Sequence, residues 1–401
     1  MRPRLGALLT HPVQYYSPWL KELAKSSDLT VYYAHRQTAE GQARAGFSTA
    51  FDWDVPLLEG YEWRWLNNIS RNPGLTTFGG CDTPEISQIV RDAKLDALMM
   101  FGWNRKTFVQ GAIAALRTKT PLLIRLDSQL SPRRAMWKRI VKYPFYSAVL
   151  PRLAHYLSPG SRTDEYLRHY GVPADRIHRL AHMIDTDRFA AGAAQARKSG
   201  ATRTLRTQWG AGDNDFVLLF VGKLIERKRI DLILEALRIL RTQDPEAFAR
   251  TKFWIAGDGP LRVSFEAFVK THALPVSFLG FLNQSHLPGT YPSADCVILT
   301  SSDDTWGLIV NEAFACGVPA IVANGVGCAP ELIEDDVTGW TLYGDSPGEL
   351  AAIIAKASRM VSALARTRIS VVSDAASYSP GVDRMLEIVE QVRTPTSTGP
   401  Q

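Results

Sequence analysis

The segment 299–332, LTSSDDTWGLIVNEAFACGVPAIVANGVGCAPEL, constrains the fold more than any other part of the chain. It begins with the end of a short apolar run, passes through a polar loop with two aspartates, and takes on a helical pattern at about residues 306–307. Gly317 ends that pattern, and the apolar run 320–322 follows. A strand, a helix and another strand in this order indicate a parallel α/β sheet.

The same alternation recurs along the sequence, so we predict an α/β protein. At 401 residues the chain is too long for one ordinary core and fits two domains of about 150–200 residues each. We place the linker within residues 190–212, where small and basic residues replace the buried runs. This gives a first domain over 1–195, a second over 205–378, and a C-terminal helix over 379–393.

Composition narrows the functional classes. No stretch holds the roughly 18 uninterrupted apolar residues that a membrane span needs. The four cysteines show neither CxxC pairing nor metal-ligand spacing, so we expect a reducing cytoplasm and no zinc. An Asp-x-Asp metal motif is not evident either, and we expect no metal cofactor. The net charge of +6 suits a phosphate-rich ligand or an anionic lipid. The sequence has one basic, aromatic cluster only, discussed below, and no motif of a nucleic-acid-binding fold, so we expect no nucleic-acid partner.

Charged residues are concentrated where predicted strands of the second domain end. Asp304 precedes the helix that opens near residues 306–307, and Glu312 lies eight positions after Asp304. Lys223 and Lys228 follow the apolar run that ends at residue 221. The free amides of a helix start suit a phosphate, and carboxylates suit sugar hydroxyls. Lone lysines and acids beside a helix are also commonly solvated or structural, and the residues alone leave both interpretations open.

The order of these motifs resembles the donor-binding signature of glycosyltransferase family 4. The resemblance rests on Asp304-x7-Glu312, on AFACGVPAIVA and on GVGCAPELIEDDVTGWTLYGD. It implies the GT-B fold, in which two Rossmann-like, doubly wound parallel-sheet domains face each other across a cleft. Members of the family usually have glutamate at both ends of the x7 spacing, whereas this chain has aspartate first.

The resemblance also implies roles for individual residues of the second domain. Lys228 matches the family lysine on the diphosphate of a nucleotide sugar, and Lys223 stands where the family has arginine. Glu312 is expected on the ribose hydroxyls and Asp304 on the hydroxyls of the donor sugar. The remaining donor-binding candidates at the helix start are Trp306, Gly307 and Leu308. Phe281 is a further candidate, because the segment 276–282 resembles the family segment that contacts the nucleotide base.

The first domain matches the family less well. Asp127 matches the aspartate of a family His-Asp pair, but Leu126 occupies the histidine position. We still predict Asp127 to be catalytic, and we do not assign Arg125 as a substitute for the histidine. Aromatic residues within 36–80, a region predicted to be irregular, either stack on an acceptor sugar or form a satellite core: Phe47, Phe51, Trp53, Tyr61, Trp63, Trp65 and Phe78.

A basic, aromatic segment at residues 133–146 has two interpretations. It includes Arg133 and Arg134, and its composition fits a helix lying on an anionic membrane. It also fits a solvated helix face, which is the interpretation we favour. The protein is therefore predicted to be cytoplasmic, with peripheral contact to the inner face of a membrane as one interpretation.

By resemblance, the protein is an enzyme, a hexosyl- or related glycosyltransferase of polysaccharide or glycoconjugate biosynthesis. It would transfer sugar from a nucleoside-diphosphate sugar to a glycan or lipid-linked acceptor, with retention and without a metal ion. Two alternatives stay open: a nucleotide-sugar 2-epimerase, which needs histidine and carboxylate chemistry in the first domain, and a nucleotide-sugar-binding protein without turnover.

Overall fold

The computed structural model describes residues 2–130, 136–364 and 366–393. Arg133 and Arg134 of the predicted basic helix lie outside the described residues. The strands are β1 (Arg4–Leu9), β2 (Asp28–Tyr33), β3 (Glu62–Trp65), β4 (Ala97–Phe101), β5 (Leu122–Arg125), β6 (His155–Ser158), β7 (Ile177–Arg179), β8 (Phe216–Val221), β9 (Thr251–Ala256), β10 (Val276–Gly280), β11 (Cys296–Leu299), β12 (Ala320–Ala323) and β13 (Gly339–Leu342).

Helices alternate with these strands through most of the described chain. They are α1 (Ser17–Ala24), α2 (Ala39–Gln42), α3 (Ile86–Ala93), α4 (Lys106–Thr118), α5 (Met136–Leu153), α6 (Ser161–His169), α7 (Thr186–Ser199), α8 (Ala201–Gln208), α9 (Ile230–Gln243), α10 (Pro245–Arg250), α11 (Arg262–His272), α12 (Leu287–Thr290), α13 (Leu308–Ala315), α14 (Ala329–Leu332), α15 (Pro347–Met360), α16 (Arg366–Asp374) and α17 (Tyr378–Arg393). None of the helices in the described ranges is long and apolar enough to cross a membrane.

The chain divides into two compact units. The first comprises the described residues within 2–37, 56–183 and 378–393, and the second comprises those within Thr38–Val55 and Ile184–Ser377. The unit boundary thus falls at residues 183/184, before the predicted linker at 190–212. That stretch forms α7 and α8, because alanine is a strong helix former and its small side chains pack closely.

The first unit is a seven-stranded parallel sheet in the order β3-β2-β1-β4-β5-β6-β7. Both faces of its central strands are buried. Leu5 and Leu9 of β1 pack in one core cluster with residues of α1 and α17, whereas Leu8 packs in the other cluster with residues of α3 and α4. Alternate side chains of a strand point to opposite faces, so this arrangement is a doubly wound sheet.

The strand β3 was not predicted from the sequence. β3 lies within the aromatic stretch 36–80, at one edge of the first sheet, where it pairs with β2 only. Three of its four residues are exposed, and its sequence EWRW lacks the buried run of the other strands. An edge strand of this kind carries little apolar signal, so periodicity does not reveal it.

The second unit is a six-stranded parallel sheet in the order β10-β9-β8-β11-β12-β13. Its loops at the carboxyl ends of β8 and β9 approach so closely that a side chain would not fit. A Cβ atom at Gly257 would lie 1.8 Å from the carbonyl oxygen of Gly222, and a Cβ atom at Gly259 would lie 2.6 Å from the amide nitrogen of Leu224. The Gly-x-Gly sequence after β9 therefore has a packing role.

Candidate active site

The predicted donor-binding residues of the second unit lie on loops at the carboxyl ends of its parallel strands and in the first two turns of α13. Ligands of open α/β sheets usually bind at this edge. The loop after β8 is tied to the end of β11, because the Thr300 hydroxyl donates to the Lys228 carbonyl oxygen over 3.1 Å and the Ser302 amide donates to the Arg227 carbonyl oxygen over 2.8 Å. These hydrogen bonds place the loop that carries Lys228 next to the loop that carries Asp304.

Lys228 and Asp304 form an ion pair at this position. The Lys228 Nζ and Asp304 Oδ2 atoms lie 2.5 Å apart, and the two side chains are 15% and 19% exposed. Residues 76 positions apart in sequence are therefore adjacent, as the donor-site hypothesis requires. The ion pair also means that a phosphate would share the lysine with the aspartate.

The glycine loop after β12 packs against the loop that carries Asp304. The Gly327 amide donates to the Asp304 carbonyl oxygen over 2.9 Å, and the Cys328 amide donates to the Trp306 carbonyl oxygen over 2.9 Å. A Cβ atom at Gly327 would lie 1.9 Å from the carbonyl oxygen of Thr305, so only glycine permits this approach. The loop thereby fixes the backbone that leads into α13.

The start of α13 is formed by Gly307, which is the N-cap and has a φ of +96°. Among the described residues, no side chain caps this helix start. The first amides of a helix carry partial positive charge and lack helical acceptors, which favours an anion at this end. Leu308 is the first helical residue, so its amide belongs to this group.

Trp306 contributes its backbone amide and a buried side chain to the start of α13. Its side chain is buried, and its Nε1 atom donates to Asn311 Oδ1 over 2.8 Å. Its amide faces the Asp304 carboxylate, with 3.4 Å between Trp306 N and Asp304 Oδ1. The indole thus belongs to the core beneath the helix start.

Glu312 lies in the second turn of α13 and is half-buried. Burial raises its pKa to about 7, while the hydrogen bond from Tyr291 and the charge of Arg188 act to lower it. The Tyr291 hydroxyl donates to Glu312 Oε2 over 2.5 Å. Burial therefore favours the neutral form of the Glu312 carboxyl.

Lys223 has a different environment from Lys228. Its ammonium nitrogen lies over the ring of Phe47, 4.2 Å from the ring centroid. Burial, followed by the charges of Arg227 and Lys228, lowers the pKa of Lys223 to about 8. The lysine therefore contacts the segment Thr38–Val55, which clusters with the second unit.

Phe281, predicted from the segment that would contact the base, packs against the same segment. Its ring centroid lies 4.1 Å from that of Phe51 and 5.8 Å from that of Phe47. The aromatic residues listed above from the stretch 36–80 are divided between the two units. Phe47, Phe51 and Trp53 belong to the second unit, whereas Tyr61, Trp63, Trp65 and Phe78 belong to the first.

In the first unit, Trp65 lines a cavity of about 180 Å³ beside His35 and Arg36. The Arg36 guanidinium lies over the Trp65 ring, 5.0 Å from its centroid. Tyr61 is buried, and its hydroxyl lies 2.7 Å from that of Tyr33, so Tyr61 is a core residue. Trp65 is thus a member of the aromatic group that lines a cavity of the first unit.

Asp127 lies against a histidine that the sequence did not single out. His182 Nε2 is 3.0 Å from Asp127 Oδ1, and Arg125 Nε is 3.9 Å from the same atom. Burial acts to raise the pKa of Asp127, but His182 and Arg125 together lower it below the usual value for aspartate. His182 follows β7, whose carboxyl end lies at the same sheet edge as that of β5. That position in the strand order is the signal by which the pair could have been found.

The two residues that precede Asp127 in sequence, Arg125 and Leu126, pack inside the first unit. Leu126 is buried in the core of the first unit. Arg125 is also buried, and its Nη2 atom donates to the Ala181 carbonyl oxygen over 3.1 Å. Within the described ranges, no group of three or more histidine, cysteine, aspartate and glutamate side chains is arranged to hold a metal ion.

Comparison with known proteins is most informative for the second unit. Residues 201–368 match the family model described as Glycosyl transferases group 1. The Alpha-D-kanosaminyltransferase of Streptomyces kanamyceticus is 30% identical over 202 residues, which are 50% of this chain and 50% of that protein. The chain spans about half the length of the curated relatives it matches.

Solved structures resemble nearly the whole chain. The crystal structure of Anabaena Alr3699/HepE in complex with UDP has a TM-score of 0.71 at 19% identity, over 98% of this chain and 100% of that one. A glycosyltransferase from Rickettsia africae has a TM-score of 0.74 at 14% identity, again over 98% and 100%. At such identities the likeness establishes the architecture. The chain has the GT-B fold, with two parallel-sheet α/β domains.

Proposed function

We propose that this protein is a retaining, family 4 glycosyltransferase. It would transfer a glycosyl group from a nucleoside-diphosphate sugar to a glycan or lipid-linked acceptor in polysaccharide or glycoconjugate biosynthesis. The observation that carries the proposal is the convergence of Lys228, Asp304 and the start of α13 at the carboxyl edge of the second sheet. The match of residues 201–368 to group 1 glycosyl transferases and the UDP complex of the HepE structure support it.

In the proposed reaction, the bond between the anomeric carbon and the diphosphate oxygen breaks, and its electron pair stays on the diphosphate. The acceptor hydroxyl oxygen forms the new bond to the anomeric carbon, and its proton passes to the leaving phosphate. Negative charge therefore grows where Lys223, Lys228 and the amides of residues 307–308 would lie. Donors aimed at developing charge are usually the largest catalytic contribution. The proposal assigns this role to the protein's own groups and needs no metal ion.

The carboxylates would orient the donor. Glu312 would accept hydrogen bonds from the ribose hydroxyls, and Asp304 would accept them from the donor sugar while still paired with Lys228. Asp304 is one methylene shorter than glutamate, so its reach is set by the loop that Gly327 holds in place. In the first unit, the cavity beside Trp65 and Arg36 is the candidate for acceptor binding.

The Asp127–His182 pair supports a second candidate function. A nucleotide-sugar 2-epimerase of the same fold needs histidine and carboxylate chemistry in the first domain, and these two side chains lie 3.0 Å apart. Product analysis distinguishes the two functions. Transfer of radiolabelled sugar to an acceptor supports the transferase, whereas an epimerised sugar with no acceptor supports the epimerase. Donor binding without any product would contradict both.

The first prediction concerns Lys228. Lys228→Ala should lower kcat/KM for sugar transfer by about 100-fold or more, because a donor to the developing charge is lost. Initial rates with and without EDTA measure this, and EDTA should leave the wild-type rate unchanged. Lys270→Ala, the same change at an exposed lysine of α11, is the matched control and should be neutral. Wild-type activity in Lys228→Ala would refute the site.

The second prediction concerns Glu312, whose pKa is raised to about 7 by burial. A raised pKa means that the neutral carboxyl is preferred in the fold, so its contribution to stability is lost as the pH rises through about 7. Glu312→Gln should therefore be more stable than wild type by roughly 1–3 kcal/mol at pH 8. The difference should shrink as the pH falls toward the usual value for glutamate. Denaturant unfolding at several pH values measures it.

The same variant should bind nucleoside diphosphate about tenfold more weakly at pH 8, because a charge-assisted hydrogen bond becomes a neutral one. Wild-type affinity should fall as the pH drops through about 7, and Glu312→Gln should not follow that profile. Glu246→Gln, at an exposed position of α10, is the control. A Glu312→Gln protein that is less stable at pH 8 and binds normally would show that Glu312 is only structural.

The third prediction concerns Asp127. Asp127→Asn should lower kcat by at least about tenfold while leaving nucleoside-diphosphate affinity unchanged, since the donor groups belong to the second unit. Its control is Asp164→Asn, because Asp164 is a buried acid of the first unit that is also ion-paired, 2.8 Å from Arg179 Nε. The control should lose stability but keep the kcat of the folded fraction. Equal kcat values for the two variants would remove Asp127 from the reaction.

The fourth prediction concerns membrane contact, which we propose for α5. Ile140, Val141 and Phe145 are 65%, 69% and 64% exposed, and Lys142 lies among them. Apolar side chains beside a cation suit an anionic bilayer surface. The protein should sediment with vesicles that contain ~30% phosphatidylglycerol and not with neutral vesicles, because the anionic lipid gives the vesicle surface a negative potential.

The double variant Ile140→Ser/Phe145→Ser should lose this sedimentation at low salt. Val263→Ser, on α11, removes an apolar side chain of 77% exposure from the second unit and should sediment like wild type. Absence of binding at low salt, or equal loss in both variants, would contradict the assignment to α5.

A further inference from the structure

The segment Thr38–Val55, here called the strap, joins β2 to β3 in sequence but clusters with the second unit. It contains α2, a π-helical turn over Ala43–Phe47, and two residues with positive φ, Gly46 at +99° and Ser48 at +58°. Neither the family resemblance nor the proposed reaction assigns it a role.

Polar contacts attach the strap to loops at the carboxyl edge of the second sheet. The Thr49 hydroxyl donates to Asp258 Oδ2 over 3.2 Å, in the loop after β9. Asn283 Nδ2 donates to the Asp52 carbonyl oxygen over 2.8 Å, in the loop after β10. The backbone amide of Ser285 donates to Asp54 Oδ1 over 3.1 Å. The strap therefore lies at the same edge as the proposed donor site.

Aromatic contacts fix the position of Phe47 within the strap. Its ring meets Phe51 edge to face, with centroids 4.9 Å apart, and meets Phe281 at 5.8 Å with an interplanar angle of 88°. Phe51 in turn packs on Phe281 at 4.1 Å. Gly46 lies against the aliphatic stem of Lys223, because a Cβ atom there would be 3.5 Å from Lys223 Cδ. These contacts aim one face of the Phe47 ring at the lysine.

The Lys223 ammonium lies 4.2 Å from the Phe47 ring centroid, within the range of a cation–π interaction. Such an interaction stabilises an ammonium, most strongly when the ammonium is desolvated. The ring face limits the positions that the ammonium can take. An ammonium ordered in this way is ready to meet an arriving diphosphate, since little reorganisation is needed.

We propose that Phe47 is a positioning residue that holds Lys223 for the diphosphate of the donor. The inference rests on the proposed function, and it makes the strap, which precedes the second domain in sequence, a part of the donor site. Phe47 would act through Lys223 and would not itself contact the phosphates. Its effect should therefore depend on the presence of the lysine and of the phosphates.

The test compares nucleoside diphosphate with the matching nucleoside by isothermal titration calorimetry. UDP, ADP and GDP are titrated first, and the tightest of them is used with its nucleoside. Phe47→Leu, which keeps an apolar side chain but removes the ring face, should weaken diphosphate binding about 3- to 10-fold and leave nucleoside binding unchanged. Phe47→Trp keeps a ring face and should restore diphosphate binding to within about twofold of wild type.

A double-mutant cycle with Lys223→Met isolates the pair. In the Lys223→Met protein, Phe47→Leu should cause no further loss of diphosphate affinity. Phe51→Leu, at a strap ring that packs on Phe281, should have the same effect with and without Lys223. Additive effects of Phe47→Leu and Lys223→Met, or equal losses for diphosphate and nucleoside, would overturn the proposal.

Failure of this inference is distinguishable from failure of the proposed function. If Lys228→Ala weakens diphosphate binding and Phe47→Leu does not, Phe47 has no positioning role but the donor site stands. If none of the three diphosphates binds the wild-type protein, the donor site and the role of Phe47 are both refuted.

Discussion

Close backbone contact between loops at the carboxyl edge of the second sheet is the constraint on which the candidate site depends. Two loop pairs meet at distances that exclude a Cβ atom: Gly257 against Gly222, and Gly327 against Thr305. Because these contacts join consecutive loops, they fix the backbone before any side chain is considered. The hydrogen bonds of Thr300 and Ser302 to the loop after β8 then bring Lys228 next to Asp304, and the loop fixed by Gly327 leads into the start of α13.

The charged groups at this edge are held in three chemically different ways. Lys228 is bound by a carboxylate, Glu312 accepts from a tyrosine hydroxyl, and Lys223 lies on a ring face. Each arrangement limits the movement of a charged side chain before a ligand arrives. Groups ordered in this way cost little reorganisation during reaction, which is the usual source of electrostatic catalysis. Burial raises the pKa of Glu312, so keeping this carboxylate charged in the fold lowers the free energy of unfolding.

Local sequence patterns predicted the elements that carry strong apolar signals. The buried run Phe216–Val221 forms β8 as expected, and the helix predicted at residues 306–307 begins at Leu308. The loops that follow such strands are then assigned to one sheet edge by topology alone, which is why Lys228 and Asp304 could be predicted to be neighbours. Their proposed roles toward a donor stay predictions.

Features that depend on contacts between distant parts of the chain were not predicted, because local sequence patterns do not encode them. β3 is an exposed edge strand with no apolar run. The strap clusters with the second unit although its neighbours in sequence belong to the first, and no local pattern encodes that choice. His182 reaches Asp127 across 55 residues, through the order of strands in the sheet. Periodicity describes what one segment buries, and these three features depend on which segments meet.

The central claim is that one site in the second unit binds the diphosphate of a nucleotide sugar. A crystal structure of the protein with a bound nucleoside-diphosphate sugar tests it most directly. The account predicts diphosphate oxygens within about 3.2 Å of the Lys228 ammonium and of the amides at residues 307–308, with the ribose hydroxyls at Glu312. A diphosphate bound away from these groups, or a nucleotide in contact with none of them, would contradict the account.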